Sequence, residues 1–147
     1  MEVRGDNKMA GSVTITISKV STPYSEDRGI VLAEIDWVGA SSGGAVTAVD
    51  FSAANVLAVL GRKCVLAVTD PGSVAPTASY DIEIKDEYGV DVFGGELKDR
   101  HTINSEQTQP KIGADYGPRL CAGTWTFNLS GNSVNSATGK CVLYFEV

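Results

Sequence analysis

The chain has 147 residues, of which 43% are hydrophobic, and it carries a formal net charge of −6 at pH 7. A chain of this length buries about 70% of the surface that it exposes when unfolded, so we expect one domain with its own core. Its Lys and Arg residues are scattered and it has no apolar run of about 18 residues, so we expect neither direct nucleic-acid binding nor a membrane span.

The first eleven residues are mostly polar and include Gly5 and Gly11. They lack the apolar segment that a secretory signal contains. We therefore expect residues 1–11 to form a flexible N-terminal arm, and residues 12–147 to form a single β-sandwich domain.

Two strands are predicted directly after the arm. Residues 12–20 alternate between apolar and polar side chains, which places one face in a core; the apolar set is Val13, Ile15 and Ile17. A loop is expected at residues 21–28 and a second strand at residues 28–38. Its inward residues would be Ile30 and Leu32 and then Ile35 and Trp37, which requires a bulge near Ala33-Glu34.

The next part of the chain is less regular. Small residues at 39–44 predict a turn, and residues 45–50 predict a short third strand. Residues 50–61 fit either a short helix that is capped by Asp50 or Ser52 and ends at Gly61, or another strand. Residues 62–69 predict a strand that ends at Asp70-Pro71-Gly72; its inward residues would be Cys64 or Val65, Leu66 and Val68.

The most regular pattern lies at residues 79–95. Tyr80, Ile82 and Ile84 alternate with charged residues, and turn chemistry follows at residues 86–89. Asp accepts backbone hydrogen bonds at the start of a turn, and Gly adopts the positive φ near its end. We predict a β-hairpin here, with Val90 and Val92 on one side of the second strand.

The C-terminal half contains a long polar stretch and two strands. Residues 96–116 are poorly patterned, as expected of a functional or mobile loop. Residues 120–129 predict a strand with Trp125, Phe127 and Leu129 inward, and residues 141–147 predict a closing strand that is apolar on both faces. The whole pattern predicts an all-β protein: an antiparallel β-sandwich or jelly-roll-like barrel of seven to eight strands, with a short helix at 52–60 as an open alternative.

The cysteines and turn carboxylates are candidate chemical sites. Cys64, Cys121 and Cys141 lie among apolar residues, which favours buried free thiols, with a Cys121–Cys141 disulfide as the alternative. Asp86 and Asp91, together with Glu87, could offer oxygens to calcium, but their spacing is not that of an EF-hand and turn formation explains them. We expect no metal and no cofactor.

The polar loop brings an acid, a cation and a base together at Asp99, Arg100 and His101. The nearest hydroxyls, Thr102 and Ser105, lack the sequence context of a nucleophile elbow. Surface loop charges are therefore the preferred interpretation, and we do not expect an enzyme.

A resemblance extends over about residues 13–147 and is strongest at residues 65–107. The motifs that carry it are Thr69-Asp70-Pro71-Gly72, Ala75-Pro76-Thr77, Tyr80-Asp81-Ile82, Asp86-Glu87-Tyr88-Gly89-Val90-Asp91-Val92, Gly94-Gly95, Arg100 and Asn104-Ser105-Glu106-Gln107. In these motifs the chain resembles small β-rich virion structural proteins of tailed bacteriophages.

The resemblance implies a virion protein made in the bacterial cytoplasm and located on the capsid exterior. Within that class we favour a capsid decoration (cement) protein that stabilises contacts between major capsid protein subunits and associates with itself as a homotrimer. We expect the arm and the long loop to make the contacts, through Val3, Arg4, Asp6, Lys8, Asp99, Arg100, His101, Asn104, Glu106 and Gln107.

Two other functions remain open. One is a structural component of the tail or of the head–tail junction. The other is a glycan-binding module for host attachment, in which the rings of Tyr88, Trp37 or Trp125 would stack on sugars.

Overall fold

The computed structural model describes residues 8–22 and 25–146, and the side chains of residues 21, 22 and 25–28 are left undescribed. The described chain is mostly antiparallel β-structure with one short helix, so the predicted all-β class is confirmed. The elements are β1 (Ser12–Thr22), β2 (Ser25–Val38), β3 (Val49–Asp50), α1 (Ala53–Val59), β4 (Lys63–Pro71), β5 (Asp81–Lys85), β6 (Glu106–Thr108), β7 (Lys111–Ile112), β8 (Asp115–Tyr116), β9 (Arg119–Leu120), β10 (Thr126–Ser130) and β11 (Thr138–Glu146).

The strands form two main sheets. The large sheet has the order β1-β2-β11-β4-β6, with β9 also paired to β4, and the small sheet has the order β3-β10-β5. A separate hairpin pairs β7 with β8. Each order has two ends, so neither sheet closes into a barrel. The predicted number of strands was too low because β6 to β9 are strands of only two or three residues, too short to leave a pattern; three of them lie inside the expected loop at 96–116 and β9 follows it.

One hydrophobic core lies between the two sheets. It contains the inward residues of β2, β4, β11, β5 and β10. Trp37 of β2 packs against Tyr80, with ring centroids 5.6 Å apart, and Trp125 packs against Phe145 of β11 at 5.5 Å. Burial of these large apolar side chains from both sheets drives the sheets together. All three cysteines are free and buried, which confirms the thiol interpretation.

The inward face of β2 differs from the prediction. The β1–β2 register runs without interruption from Ser12↔Val38 to Val20↔Ile30, so there is no bulge at Ala33-Glu34. Ile30 is 46% exposed and Leu32 is half-buried on the opposite face from the core, so their assignment as inward residues was wrong. A bulge would have broken ladder bonds on both sides of this interior strand. The expected loop at 21–28 is also mostly strand.

A bulge occurs instead in β4. Phe145 pairs with Cys64 whereas Tyr144 pairs with Leu66, so Val65 is the additional residue. The bulge changes the phase of β4 and places Cys64, Ala67 and Thr69 in the core. The assignment of Leu66 and Val68 as inward residues was therefore wrong.

The helical alternative for residues 52–60 is correct. The Ser52 Oγ accepts a hydrogen bond from the Asn55 N–H at 3.2 Å and so satisfies one free donor at the start of α1. Gly61, with φ of 78°, follows the helix in the left-handed region that ends many helices. Val59 fixes α1 to the core.

Only the first strand of the predicted hairpin at residues 79–95 is a regular strand in the structure. Tyr80, Ile82 and Ile84 are buried as predicted, and the Val92 N–H donates to the Ile84 carbonyl at 2.8 Å. Val90, however, is 51% exposed whereas Val92 is buried, so the prediction that the two lie on one side of a second strand was wrong. The return segment is not a strand because Asp91 starts a second turn.

Candidate interaction surface

The arm residues of the predicted contact set lie mostly outside the described part of the chain. Val3, Arg4 and Asp6 are in residues 1–7, and Lys8 is exposed. The described chain is held in place from Met9 onward. The Met9 N–H donates to the Ser41 Oγ, and the Met9 carbonyl accepts from the Ser41 N–H, both at 2.9 Å.

His101 acts as a hydrogen-bond acceptor that shapes the long loop. Its Nδ1 accepts from the N–H groups of Ile103 at 3.0 Å and Asn104 at 2.9 Å, and its own N–H donates to the Glu106 Oε1 at 2.6 Å. The Nδ1 lone pair is thus used by the backbone. This ring nitrogen holds a turn and is not placed as a catalytic base.

Arg100 is also used inside the loop. Its guanidinium donates from Nε and Nη2 to the Lys98 carbonyl at 3.1 and 3.0 Å and lies 3.8 Å from the Glu106 Oε1. Only 12% of its side chain is exposed. The Asp99 N–H donates to the Asp81 Oδ1 at 2.8 Å, which ties the loop to β5. The side chains of Arg100 and His101 and the backbone of Asp99 therefore maintain the shape of this loop.

Four residues of the predicted loop set face solvent: Asp99, His101, Asn104 and Gln107. The loop that carries them is attached to the large sheet, because β6 pairs with β4 and the Ser105 Oγ donates to the Asp70 Oδ1 at 2.8 Å. They form an ordered polar edge beside the sheet.

The turn carboxylates are already coordinated by the protein. The Asp86 Oδ1 accepts from the N–H groups of Tyr88 and Val90, and its Oδ2 pairs with the Arg119 guanidinium at 2.8 Å. Both oxygens of Asp91 accept backbone N–H groups as well. Within residues 8–22 and 25–146, no three His, Cys, Asp or Glu side chains are grouped so that they could hold a metal ion.

The aromatic residues considered for sugar stacking do not form a platform. Trp37 and Trp125 are each 1% exposed and belong to the core, whereas Tyr88 is 84% exposed at a turn. A ring buried between two sheets has no face free for a sugar.

The large sheet has a second apolar face, on the side away from the core. Leu32, Tyr144 and Leu66 are cross-strand neighbours in one row, and Val142 and Val68 are neighbours in the next. The pair Val20↔Ile30 continues this surface toward the far end of the β1–β2 ladder. We call the set the outer patch: Val20, Ile30, Leu32, Leu66, Val68, Val142 and Tyr144.

The outer patch is accessible, and it is bordered by paired charges. Val20 is 50% exposed, and the five residues in its centre are partly exposed. At one border the Lys140 ammonium lies 2.5 Å from Glu34 and 3.4 Å from Asp36. The hydrogen bond to Glu34 and the charge of Asp36 raise the pKa of Lys140, so this lysine stays cationic. A contiguous apolar surface of this kind is typical of an interaction site.

The sequence interpretation missed this surface because Leu32, Leu66 and Val68 had been assigned to the core. The available signal was β11, which is apolar on both faces. A strand that is buried on one face and apolar on the other needs a second contact surface.

Comparison with known proteins gives no relative: no protein-family model, no curated protein and no solved structure matches this chain. Of the helices in the described residues, none has the length and apolar character required to cross a bilayer.

Proposed function

We propose that this chain is a bacteriophage virion structural protein, and specifically a capsid decoration protein that stabilises contacts between major capsid protein subunits. The observation that carries the proposal is the outer patch, an open apolar sheet face. The motifs within residues 65–107 support the bacteriophage class through their resemblance to virion proteins. The proposed site of action is the capsid exterior.

The size of the outer patch suits a protein that works in many copies. Its seven residues each occupy about 4.8 Å by about 7 Å of the sheet, which gives on the order of 240 Å². A stable pairwise interface buries about 800 Å² on each partner. A single contact would therefore be weak, whereas linked copies on one shell bind strongly through multivalency.

The proposed partners are the major capsid protein and further copies of this chain, as a homotrimer. The net charge of −6 favours an outward position, because packaged DNA repels an acidic surface. The ordered polar loop at residues 98–111 lies at the β6 edge of the same sheet, where it can add polar contacts around an apolar centre.

Two measurements test the proposal. The first is the copy number of this chain relative to the major capsid protein in purified particles. Hundreds of copies would support a decoration protein. Six or twelve copies would instead favour the tail or head–tail junction, and absence from the particle would end the virion proposal.

The second measurement is co-sedimentation of the purified protein with empty capsid shells. Tyr144→Glu places a charge at the centre of the outer patch and should weaken binding at least about tenfold, which corresponds to about 1.4 kcal/mol. The matched control is Thr16→Glu, on the same sheet face but in its polar half. Equal binding by wild type and Tyr144→Glu would show that the outer patch is not the docking surface.

A further inference from the structure

β1 is an edge strand whose open side can be assigned residue by residue. Successive residues of a strand point their N–H and C=O groups to opposite sides. One observed bond therefore shows to which side every residue of the strand points. The Gly39 N–H donates to the Ala137 carbonyl at 2.8 Å, in register with the β2–β11 ladder. Odd-numbered residues of β2 therefore bond β11, and even-numbered ones bond β1. Since even residues of β1 pair with even residues of β2, the odd residues of β1 point their N–H and C=O groups outward.

The outward-pointing residues are Val13, Ile15, Ile17 and Lys19. A separate contact agrees with this assignment: the Asn55 Nδ2 of α1 donates to the Ile15 carbonyl at 3.3 Å. Among the described strands, β2 is the one neighbour of β1. The remaining outward backbone groups can accept a further strand.

A groove lies beside this open edge. It has a volume of about 360 Å³ and is lined by Val13, Thr14, Ile15, Val49, Asp50, Ser52 and Asn55. β1 ends the large sheet and β3 ends the small sheet, so the groove is the gap between two sheet edges. An extended peptide fits such a gap, because its backbone pairs with the edge strand and alternate side chains enter the groove.

We infer that residues 1–8 of a second copy add to β1 as this strand. In that segment Met1, Val3 and Gly5 alternate with three charged residues, as a strand with one face toward the apolar side chains of the groove (Val13, Ile15 and Val49) requires. Eight extended residues span about 26 Å, which matches the eight residues from Ser12 to Lys19. The segment holds two acids and two bases, so it adds no net charge to an acidic neighbour.

The donor must be another copy because residues 9–11, which connect the segment to β1, are held away from the groove. Met9 is bonded to Ser41, and Gly11 packs so closely that a Cβ there would lie 2.1 Å from the Ala45 carbonyl oxygen. The chain then enters β1 at Ser12 with no residues left for a reversal. A head-to-tail contact between two different surfaces closes into a ring when its rotation permits, as the proposed homotrimer requires. This inference thus gives the self-association in the proposed function a structural basis, but it can be tested without a capsid.

Sedimentation velocity of the full chain and of two variants tests the inference. The full chain should form a closed oligomer, and deletion of residues 1–8 should give a monomer. Lys19→Pro should weaken association at least tenfold, because proline removes an N–H that points outward and leaves the β1–β2 ladder intact. Lys19→Ala is the control, because it removes the same side chain but keeps the outward N–H, and it should leave the mass of the oligomer unchanged.

Two further substitutions and a synthetic peptide complete the test. Val3→Asn should weaken association, whereas Arg4→Asn, in the opposite row, should not. A fluorescent peptide of residues 1–8 should bind the shortened chain and bind its Lys19→Pro form at least tenfold more weakly. An oligomer that survives both the deletion and Lys19→Pro would overturn the inference, as would a full chain that stays monomeric at about 100 μM. Neither result bears on binding to capsid shells.

Discussion

Trp37 and Tyr80 pack together across the two sheets, and the indole Nε1 and the phenol hydroxyl are both buried without a hydrogen-bond partner among the described residues. A buried polar group without a partner costs about 1–3 kcal/mol of stability, because it has lost its hydrogen bonds to water. The ring contact at 5.6 Å, by contrast, is favourable.

Tyr80→Phe should therefore leave the free energy of unfolding unchanged or raise it by about 1 kcal/mol, since it removes the hydroxyl and keeps the ring. Urea unfolding of both proteins measures the difference. Tyr144→Phe, at a partly exposed position, is the control and should change little. A loss of more than about 1 kcal/mol in Tyr80→Phe would show that the hydroxyl has a partner in solution.

Gly139→Ala should destabilise the protein by about 1–3 kcal/mol. A Cβ at this position would lie 2.4 Å from Cζ2 and 2.6 Å from Cε2 of Trp37, whose ring is confined by the core. The matched control is Gly117→Ala, where, apart from its chain neighbours, no atom of the described residues lies within 4 Å of the added Cβ. Thermal unfolding should separate the two variants, and similar melting temperatures would mean that the indole can move aside.

His101→Ala should loosen the turn at residues 101–104 without unfolding the protein. Two backbone N–H groups lose their shared acceptor, but they become accessible to water, so the cost should be about 1 kcal/mol or less. His101→Asn keeps an acceptor at a similar position and should retain the turn. Hydrogen exchange of the Ile103 and Asn104 amides distinguishes them: slow exchange of both amides in His101→Ala would contradict the assigned role of Nδ1.

The buried thiols should make the protein less stable in alkali. Burial raises the pKa of Cys64 well above its ordinary value of 9.0, and raises the pKa of Cys141 to about 12. The folded state therefore holds these protons more tightly than the unfolded chain does. Their contribution is fully present below pH 9 and is lost as the pH rises from 9 toward 12, by about 1 kcal/mol per thiol and pH unit.

Urea unfolding between pH 7 and pH 10.5 measures this dependence. Cys64→Ala should reduce the slope above pH 9, whatever it does to stability at pH 7. Native thiols should also react with iodoacetamide far more slowly than thiols in denaturant, because the thiolate is the reactive form. Rapid labelling of the native protein at pH 8 would contradict the burial of these residues.

Sequence patterns predicted the structure well where one face of a segment is apolar and the other polar. Phe127 and Leu129 on β10 and Ile82 and Ile84 on β5 are buried as expected. The cap at Ser52 was also recognisable, since its Oγ acts on a local backbone N–H. In such segments the alternation within the strand is sufficient to predict which side chains are buried.

Where both faces of a strand are apolar, the sequence pattern did not predict which side chains face the core. Val31, Leu32 and Ala33 follow one another in β2, and either phase would bury a large residue. The choice is made by the register with β1 and β11, and by the bulge at Val65, which are non-local. The outer patch was missed for the same reason.

The order of the large sheet has a consequence for synthesis of the protein. Lys140 and Glu34 are neighbours on adjacent strands although 106 residues separate them in the chain. At ribosomal rates of about 5–20 residues per second, β2 must wait roughly 5–20 s before β11 exists to pair with it. Throughout that interval one side of β2 has no strand beside it, and the nascent β1–β2 hairpin exposes both of its faces. A chaperone that binds apolar strands would therefore bind this hairpin most readily during that interval.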